Sequence, residues 1–600
     1  MLHDKDLVSL QEVRTKVEAA HSAFLKYRNC NQQHVDAVVE AMAAAGRAEA
    51  KRLAEMAVEE TRYGNVKDKT VKNLLTADVF PRAIRGMKTV GVLRELPEEK
   101  ITEIGIPVGV VAALLPTTNP TSTVIFKSIV SLKAGNAVVL SPHPRAARCS
   151  AYAAELMHKA AAAAGAPEGI IQCISDPTIE STHALMKHPK VAMILATGGA
   201  AMVRAAYSSG KPAFGVGPGN VPVYLERTAP VAAAVRQVVD GKSFDYGTVC
   251  SSEQALVAEN VLRDAVIAEL KANRAHFATP EQAQALTRLM LKENFRINPE
   301  CVGQSPQRLA EMAGFSIAPD ARIIVVELSG VGKAHPLSVE KLSPVLALYF
   351  VPDHAAALDT CEALIRFGGL GHTCVIYSEN EARVREFGLR MPAMRVLVNT
   401  ASPQGSTGIT TSLMPSMTLG CGAMAGNVTS DNVGPQHLIN IKRIAWKVRE
   451  PEEALTVPSE FESAPAPRAE APVPVDSKLI AALVEQYLAS RVAAPAATSV
   501  ADIVDRFLRA RRPEAAAQAP AQCPVQCACT QSGAAARPPA DIEAAAPPAP
   551  AVQIVDFVCE SDVRAAMQRS EKIFIGSKTI VTPAARDLGE RHGILVLAQP

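Results

Sequence analysis

An α/β protein with a mostly parallel sheet and helices on both faces is the fold predicted for the first 450 residues. Three observations predict it. Short apolar, strand-like runs alternate with Ala-rich segments of helical period. The alternation repeats as βα units, and parallel strands need such a crossover between them. The hydrophobic fraction is 48%, enough for large buried cores. With 600 residues, the chain is also long enough for roughly three or four units.

The elements follow in order. "PVGVVAALLP" reads as a buried strand, "TSTVIFKSIVSLKAG" as a helix ending at Gly135, and "NAVVLSP" as the next strand. "AAELMHKAAAAAG" is a helix, "GIIQCIS" and "VAMILATGG" are strands, and "AAMVRAAYSSG" is a helix. In sheets of this kind ligands bind beyond the carboxyl ends of the strands.

Composition changes sharply near residue 450. Residues 451–475 hold "APAPRAEAPVPV", a Pro/Ala linker that cannot bury a core. Residues 476–512 carry two amphipathic stretches: Ile480, Leu483, Val484, Tyr487 and Leu488, then Val500, Ile503, Val504, Phe507 and Leu508, fall at helical spacing. A low-complexity linker covers 513–551, and 552–600 reads as a small α/β module. The whole tail is expected to be largely disordered apart from these islands.

Lys plus Arg number 62 and Asp plus Glu 60, a net charge of +2. That balance gives no electrostatic case for nucleic acid or an anionic membrane surface. The charged start "MLHDKDLVSLQEVRTKVEAA" lacks the apolar core of a signal peptide. No apolar run approaches the ~18 residues of a membrane span. A cytoplasmic protein with reduced cysteines is expected.

Several residues could carry chemistry. Cys250 stands in "SFDYGTVCSSEQAL", among small and hydroxylated residues. A structural thiol usually sits in an apolar element, whereas a nucleophilic one needs an approach path. Asn119 lies between Pro116 and Pro120, just past a strand. It is either a rigid amide donor for an oxyanion or an Asx-type turn. Gly198 and Gly199 separate a strand from a helix, where free backbone N–H groups can meet a phosphate; "GVGPGN" adds Gly215, Gly217 and Gly219. Neither is a G-x-G-x-x-G fingerprint, and each is equally a tight turn. Thr197 could cap the helix and nothing more. His143 in "SPHPRA", beside Pro142, and His372 in "GGLGHTCVIYS" are flanked by turn residues, and each could be a base, a phosphate contact or a satisfied loop histidine. "CPVQCACT" places Cys523, Cys527 and Cys529 at irregular spacing in a linker, so no metal site is expected.

Taken together, the segments over about residues 10–450 resemble the CoA-acylating branch of the aldehyde dehydrogenase superfamily, the acetaldehyde and propionaldehyde dehydrogenases. "GVVAALLPTTNPTSTVIFKSIVSLKAGNAVVLSPHPRA", "FDYGTVCSSEQ", "EKLSPVLALY", "GLGHTCVIYS" and "GCGAMAGNVTSDNV" carry the resemblance, in the family's order. It implies a Rossmann-type nucleotide-binding domain over 1–240, a catalytic domain over 241–430, and a small oligomerisation flap near 92–107 and 436–450, hence a homodimer or tetramer. It implies that Cys250 attacks the aldehyde, that Asn119 and the Cys250 backbone N–H form the oxyanion hole, and that His372 acts in thioester exchange. NAD is the implied cofactor, held by Thr197, Gly198, Gly199, Gly217 and Glu340, with Pro142 and His143 near the adenosine ribose. CoA is the implied co-substrate. Hydrolytic relatives carry a Glu in an "E-L-G-G-K"-like stretch; the corresponding "FGVGPGN" has no carboxylate. Losing general-base help to water, typically worth ~10²–10⁴-fold, leaves a thiol such as CoA to win.

The tail resembles the encapsulation signals of enzymes housed in bacterial microcompartments, and "TIVTPAARDLGERHGI" resembles a module of microcompartment-associated proteins. This implies shell or core-enzyme partners and a place in the microcompartment lumen. The alternatives are an arm docked on its own enzyme, a dehydrogenase of another aldehyde such as a semialdehyde, or a dehydrogenase-like scaffold.

Overall fold

The computed structural model describes residues 4–292, 295–455, 482, 485–486, 555–569 and 571–597. The chain divides into two compact units, Met1–Ala464 and Pro465–Pro600.

In the first unit, N-terminal helices precede β1 (Gly91–Leu96) and β2 (Ile101–Pro107), an antiparallel pair. Next comes a five-stranded sheet of β3 (Val110–Leu114), β4 (Ala137–Ser141), β5 (Ile171–Cys173), β6 (Val191–Thr197) and β7 (Ala213–Val216). Its order is β5-β4-β3-β6-β7 and every pairing is parallel. β3 to β6 lie where the sequence shows apolar runs, β7 is an additional short strand, and the helices between them supply the crossovers. A fully buried helix, Pro120–Lys133, follows β3, with proline at its first position and Asn119 as its N-cap. Inside it, Lys127 Nζ donates to the carbonyls of Leu114 at 2.6 Å and Leu195 at 2.8 Å. That buried amine pins the helix to the carboxyl ends of β3 and β6.

The second sheet has seven parallel strands in the order β10-β11-β12-β9-β8-β13-β14. They are β8 (Val221–Leu225), β9 (Glu253–Glu259), β10 (Ala275–Phe277), β11 (Ile323–Glu327), β12 (Val345–Val351), β13 (Gly371–Tyr377) and β14 (Ala393–Val398). The change of sheet thus falls between β7 and β8, ahead of the boundary expected at 240/241. The reason is packing: the helix Val231–Ser243 buries Ala234, Val235, Val238 and Val239 in the core of the second sheet. β15 (Ile439–Ala445) returns to pair antiparallel with β2, so "VLRELPEEKITEIG" and "LINIKRIAWKVR" together make a three-stranded flap.

The second unit contains a parallel sheet of β16 (Val555–Val558), β17 (Ile573–Val581) and β18 (Leu595–Leu597) with the helices Glu560–Arg569 and Pro583–Arg591. Val558, Val563, Ala566, Ala585 and Ile594 form its small core. The amphipathic stretches, apart from residues 482, 485 and 486, and the cysteines at 523, 527 and 529 lie outside the described residues. No helix among the described residues is long and apolar enough to cross a membrane.

Candidate active site

A cavity of about 500 Å³ lies where the two sheets of the first unit meet. Its walls come from the carboxyl ends of β3, β4, β6 and β7 and from loops entering the amino ends of β8 and β9. The rule that ligands sit at carboxyl ends therefore holds for the first sheet and is reversed for the second. Asn119, His143, Thr197, Gly198, Gly199, Gly217, Cys250 and Glu340 all line this one cavity. Pro142 is buried and outside the lining, and His372 lies behind the wall, fully buried.

Cys250 is half-buried, three residues ahead of β9. The backbone reaching it is strained: Asp245 and Tyr246 have φ of 48° and 52°. Gly247 follows at φ 71°, where a Cβ would meet the Ser343 carbonyl at 2.6 Å. Non-glycine residues persist in this left-handed region only when their surroundings hold them there. Here the hold is the Asp245 carboxylate. It accepts from the Asn65 N–H at 2.8 Å, Lys69 Nζ at 2.9 Å and the Thr248 hydroxyl at 2.6 Å, and it contacts Lys72. Burial alone would raise the Asp245 carboxyl, but the two ammonium groups outweigh it and hold it below its usual range.

Asn119 is placed by the same cluster. Lys72 Nζ donates to Asn119 Oδ1 at 2.6 Å, while Asn119 Nδ2 donates to Thr118 Oγ1 at 3.1 Å. The lysine fixes which end of the amide is oxygen, so the N–H₂ end stays available as a donor. Asn119 holds the N-cap position of the helix Pro120–Lys133 without a side-chain cap bond, and its oriented amide stands on the cavity wall. Burial lowers Lys72 to about 8, against the opposing pull of Asp245.

His372 sits on β13 rather than in a loop; only the glycines ahead of it form the turn. Its Nε2 lies 3.3 Å from Cys250 Sγ and its Nδ1 3.0 Å from Thr373 Oγ1. Burial, then the charge of Arg395, lowers the imidazole to about 3, so it is neutral. Burial pushes the Cys250 thiol up to about 12; Glu340 and Cys421 add to the rise and Arg395 opposes it. Gly219 packs between the two residues: a Cβ there would meet the Cys250 carbonyl at 2.3 Å and the His372 ring at 3.0 Å.

The other end of the cavity suits a dinucleotide. Gly199, not Thr197, is the N-cap of the helix Ala200–Tyr207, and added Cβ atoms at Gly199 and Gly217 would meet only open space. The helix start thus presents free N–H groups to the cavity. Thr197 Oγ1 is buried without a partner among the described residues. Glu340 Oε1 accepts from the Gly219 N–H at 3.2 Å, and burial raises its carboxyl to about 8. It is the only carboxylate among the described residues that line the cavity.

The sequence reading missed Lys69, Lys72, Asp245, Thr373 and Arg395. Asp245 stands inside the stretch that drew attention to Cys250, and Lys69 and Lys72 share one face of the helix Val66–Leu74. That spacing is the only signal they leave in the sequence.

Residues 6–288 match the aldehyde dehydrogenase family. The crystal structure of an acetylating aldehyde dehydrogenase from Geobacillus thermoglucosidasius is 49% identical, superposes with a TM-score of 0.74, and shares 75% of this chain and 99% of its own. The chain belongs to the aldehyde dehydrogenase family. Two further family members are informative. The bifunctional aldehyde–alcohol dehydrogenase of Escherichia coli is 42% identical over 444 residues, 73% of this chain and 50% of that protein. The chain thus spans about half the length of this relative and of the aldehyde-alcohol dehydrogenase 2 of Entamoeba histolytica. A propionaldehyde dehydrogenase from Rhodopseudomonas palustris, solved with bound propionyl-CoA, is 30% identical, with a TM-score of 0.66, over 72% of this chain and 94% of its own.

Proposed function

We propose that the protein oxidises a short-chain aldehyde, acetaldehyde or propionaldehyde, to its acyl-CoA thioester, using a nicotinamide cofactor and CoA. The observation that carries this reading is the pairing of Cys250 Sγ, on the cavity wall, with His372 Nε2 at 3.3 Å behind it. Acetylating and propionyl-CoA-bound relatives support it.

Cys250 Sγ adds to the aldehyde carbon. The carbonyl oxygen becomes an alkoxide, met by Asn119 Nδ2 and the Cys250 backbone N–H, in the manner of an oxyanion hole. When bound, NAD⁺ or NADP⁺ supplies the acceptor for the hydride that leaves this carbon. Gly198, Gly199 and the start of the helix Ala200–Tyr207 would hold its pyrophosphate, with Thr197 and Gly217 beside them, Glu340 its ribose, and His143 the adenosine end. Cys250 is left as a thioester. The CoA thiolate then adds to the acyl carbon, the bond to Sγ breaks, and its electron pair returns to the sulfur. Water competes poorly, because "FGVGPGN" offers no carboxylate to act as its general base.

The exposed apolar residues Val92, Ile441, Ile444 and Trp446 of the flap support assembly into a dimer or tetramer. The composition of the tail supports targeting to a microcompartment lumen through residues 476–512. The deciding experiment supplies acetaldehyde or propionaldehyde and NAD⁺ with and without CoA. Thioester in step with NADH is expected. Steady NADH without CoA, matched by free acid, overturns the reading.

A further inference from the structure

We infer that Thr373 and Arg395 lock His372 as its Nε2–H tautomer, so that the ring donates a hydrogen bond to the Cys250 sulfur and does not take up the thiol proton. The inference rests on the reading of Cys250 as nucleophile.

Thr373 and Arg395 are register partners across β13 and β14. Arg395 is buried, and three of its contacts are acceptors: Nη2 donates to the Gly420 carbonyl at 2.7 Å, and Nη1 to the Ser430 carbonyl at 3.2 Å and Asn432 Oδ1 at 3.4 Å. The fork is therefore fixed, and its Nε–H points at Thr373 Oγ1, 3.3 Å away. A guanidinium can only donate, so the threonine oxygen accepts there. The hydroxyl hydrogen then needs an acceptor, and among the described residues its other hydrogen-bonding neighbour is His372 Nδ1 at 3.0 Å. An imidazole that accepts at Nδ1 and stays neutral carries its hydrogen on Nε2. That hydrogen faces Cys250 Sγ.

The chemical consequence is specific. The groups acting on Cys250 are His372, Glu340, Cys421 and Arg395. Glu340 and Cys421 disfavour thiolate; the arginine favours it at a distance, and His372 Nε2–H favours it by direct contact. The thiol proton leaves to water in the cavity, not to the imidazole. When CoA thiolate adds to the acyl carbon and the Cys250 bond breaks, the electron pair returning to Sγ meets the same N–H. Thr373 and Arg395 are thus positioning residues, acting through His372.

The test uses the full chain labelled with ¹⁵N-histidine, with His372→Gln assigning the resonance. The wild type should show protonated Nε2 and bare Nδ1. Thr373→Val, which keeps the shape and removes the hydroxyl, should mix or reverse the tautomers, and Thr373→Ser should restore the wild-type pattern. Iodoacetamide labelling of the Cys250 peptide against pH, read by mass spectrometry, should slow about tenfold at neutral pH in Thr373→Val, equal to one unit of apparent pKa, and not in Thr373→Ser. A proton on Nδ1 in the wild type overturns the inference by itself, even if Thr373→Val does not fold. An unchanged tautomer and labelling profile in folded Thr373→Val overturns it too. Thioester formation by the wild type, followed separately, reports on the reaction and not on the tautomer.

Discussion

Lys72 Nζ lies 2.6 Å from Asn119 Oδ1 while contacting the Asp245 carboxylate that holds the strained backbone ahead of Cys250. One ammonium group therefore orients the amide of Asn119, the proposed oxyanion donor, and braces the loop ahead of Cys250, the proposed nucleophile. Asn119→Ala should lower kcat by about 10²–10³-fold, the usual cost of one oxyanion donor. Lys72→Met should lower kcat by about tenfold or more, and the double variant by less than the product of the two, because both act on one amide. Independent, multiplicative effects would separate Lys72 from Asn119. Lys72→Met should also lower the melting temperature, since a buried ion pair that loses one partner is destabilised.

Cys250→Ser should abolish aldehyde oxidation and leave nicotinamide binding near wild type, because the proposed pyrophosphate and ribose contacts lie on other elements. Binding titration beside steady-state assay checks this. A variant retaining a tenth of wild-type kcat, about 1.4 kcal/mol of barrier, excludes Cys250 as the obligate nucleophile.

Glu340 gives a pH signature. Burial raises its folded-state carboxyl from 4.5 to about 8. The folded protein therefore binds more protons than the unfolded chain between those values, and stability falls as pH rises through the window. Its contribution is fully present below the unfolded value and lost above the folded one. Glu340→Gln removes this slope, so denaturant midpoints of wild type and variant should diverge from pH 5 to pH 8, in favour of glutamine. Parallel profiles would mean the carboxyl ionises normally. Glu253, raised to about 7 mainly by burial, contributes a slope of the same sign to both proteins.

Removing the residues after 455 should leave kcat within about twofold. The family match and both sheets that border the cavity lie in the first unit, and 451–475 read in the sequence as a Pro/Ala linker. Residues 476–512 fused to a fluorescent reporter should co-purify with microcompartment shells, and Leu483→Glu with Phe507→Glu should abolish this. A charged reporter that still partitions, or a truncated enzyme that loses activity or oligomeric state, removes the targeting role.

The sequence alone determined the βα alternation, the strands β3 to β6 of the first sheet and the residues set into its loops. The spacing of apolar runs decides which segments are buried, and the glycine and proline positions decide where the chain turns. It also pointed to Cys250 and Asn119, because a thiol among small residues and an amide between prolines are locally unusual. What it did not contain is pairing across distance. The change of sheet ahead of residue 240 follows from where the helix Val231–Ser243 finds its core. Lys72 meets Asn119 across 47 positions of chain, and His372 meets Cys250 across 122. Buried lysines and a buried arginine look, in one dimension, like ordinary surface charges. Only the tertiary structure decides that they are enclosed and which polar groups face them, and that enclosure sets the protonation on which the chemistry depends.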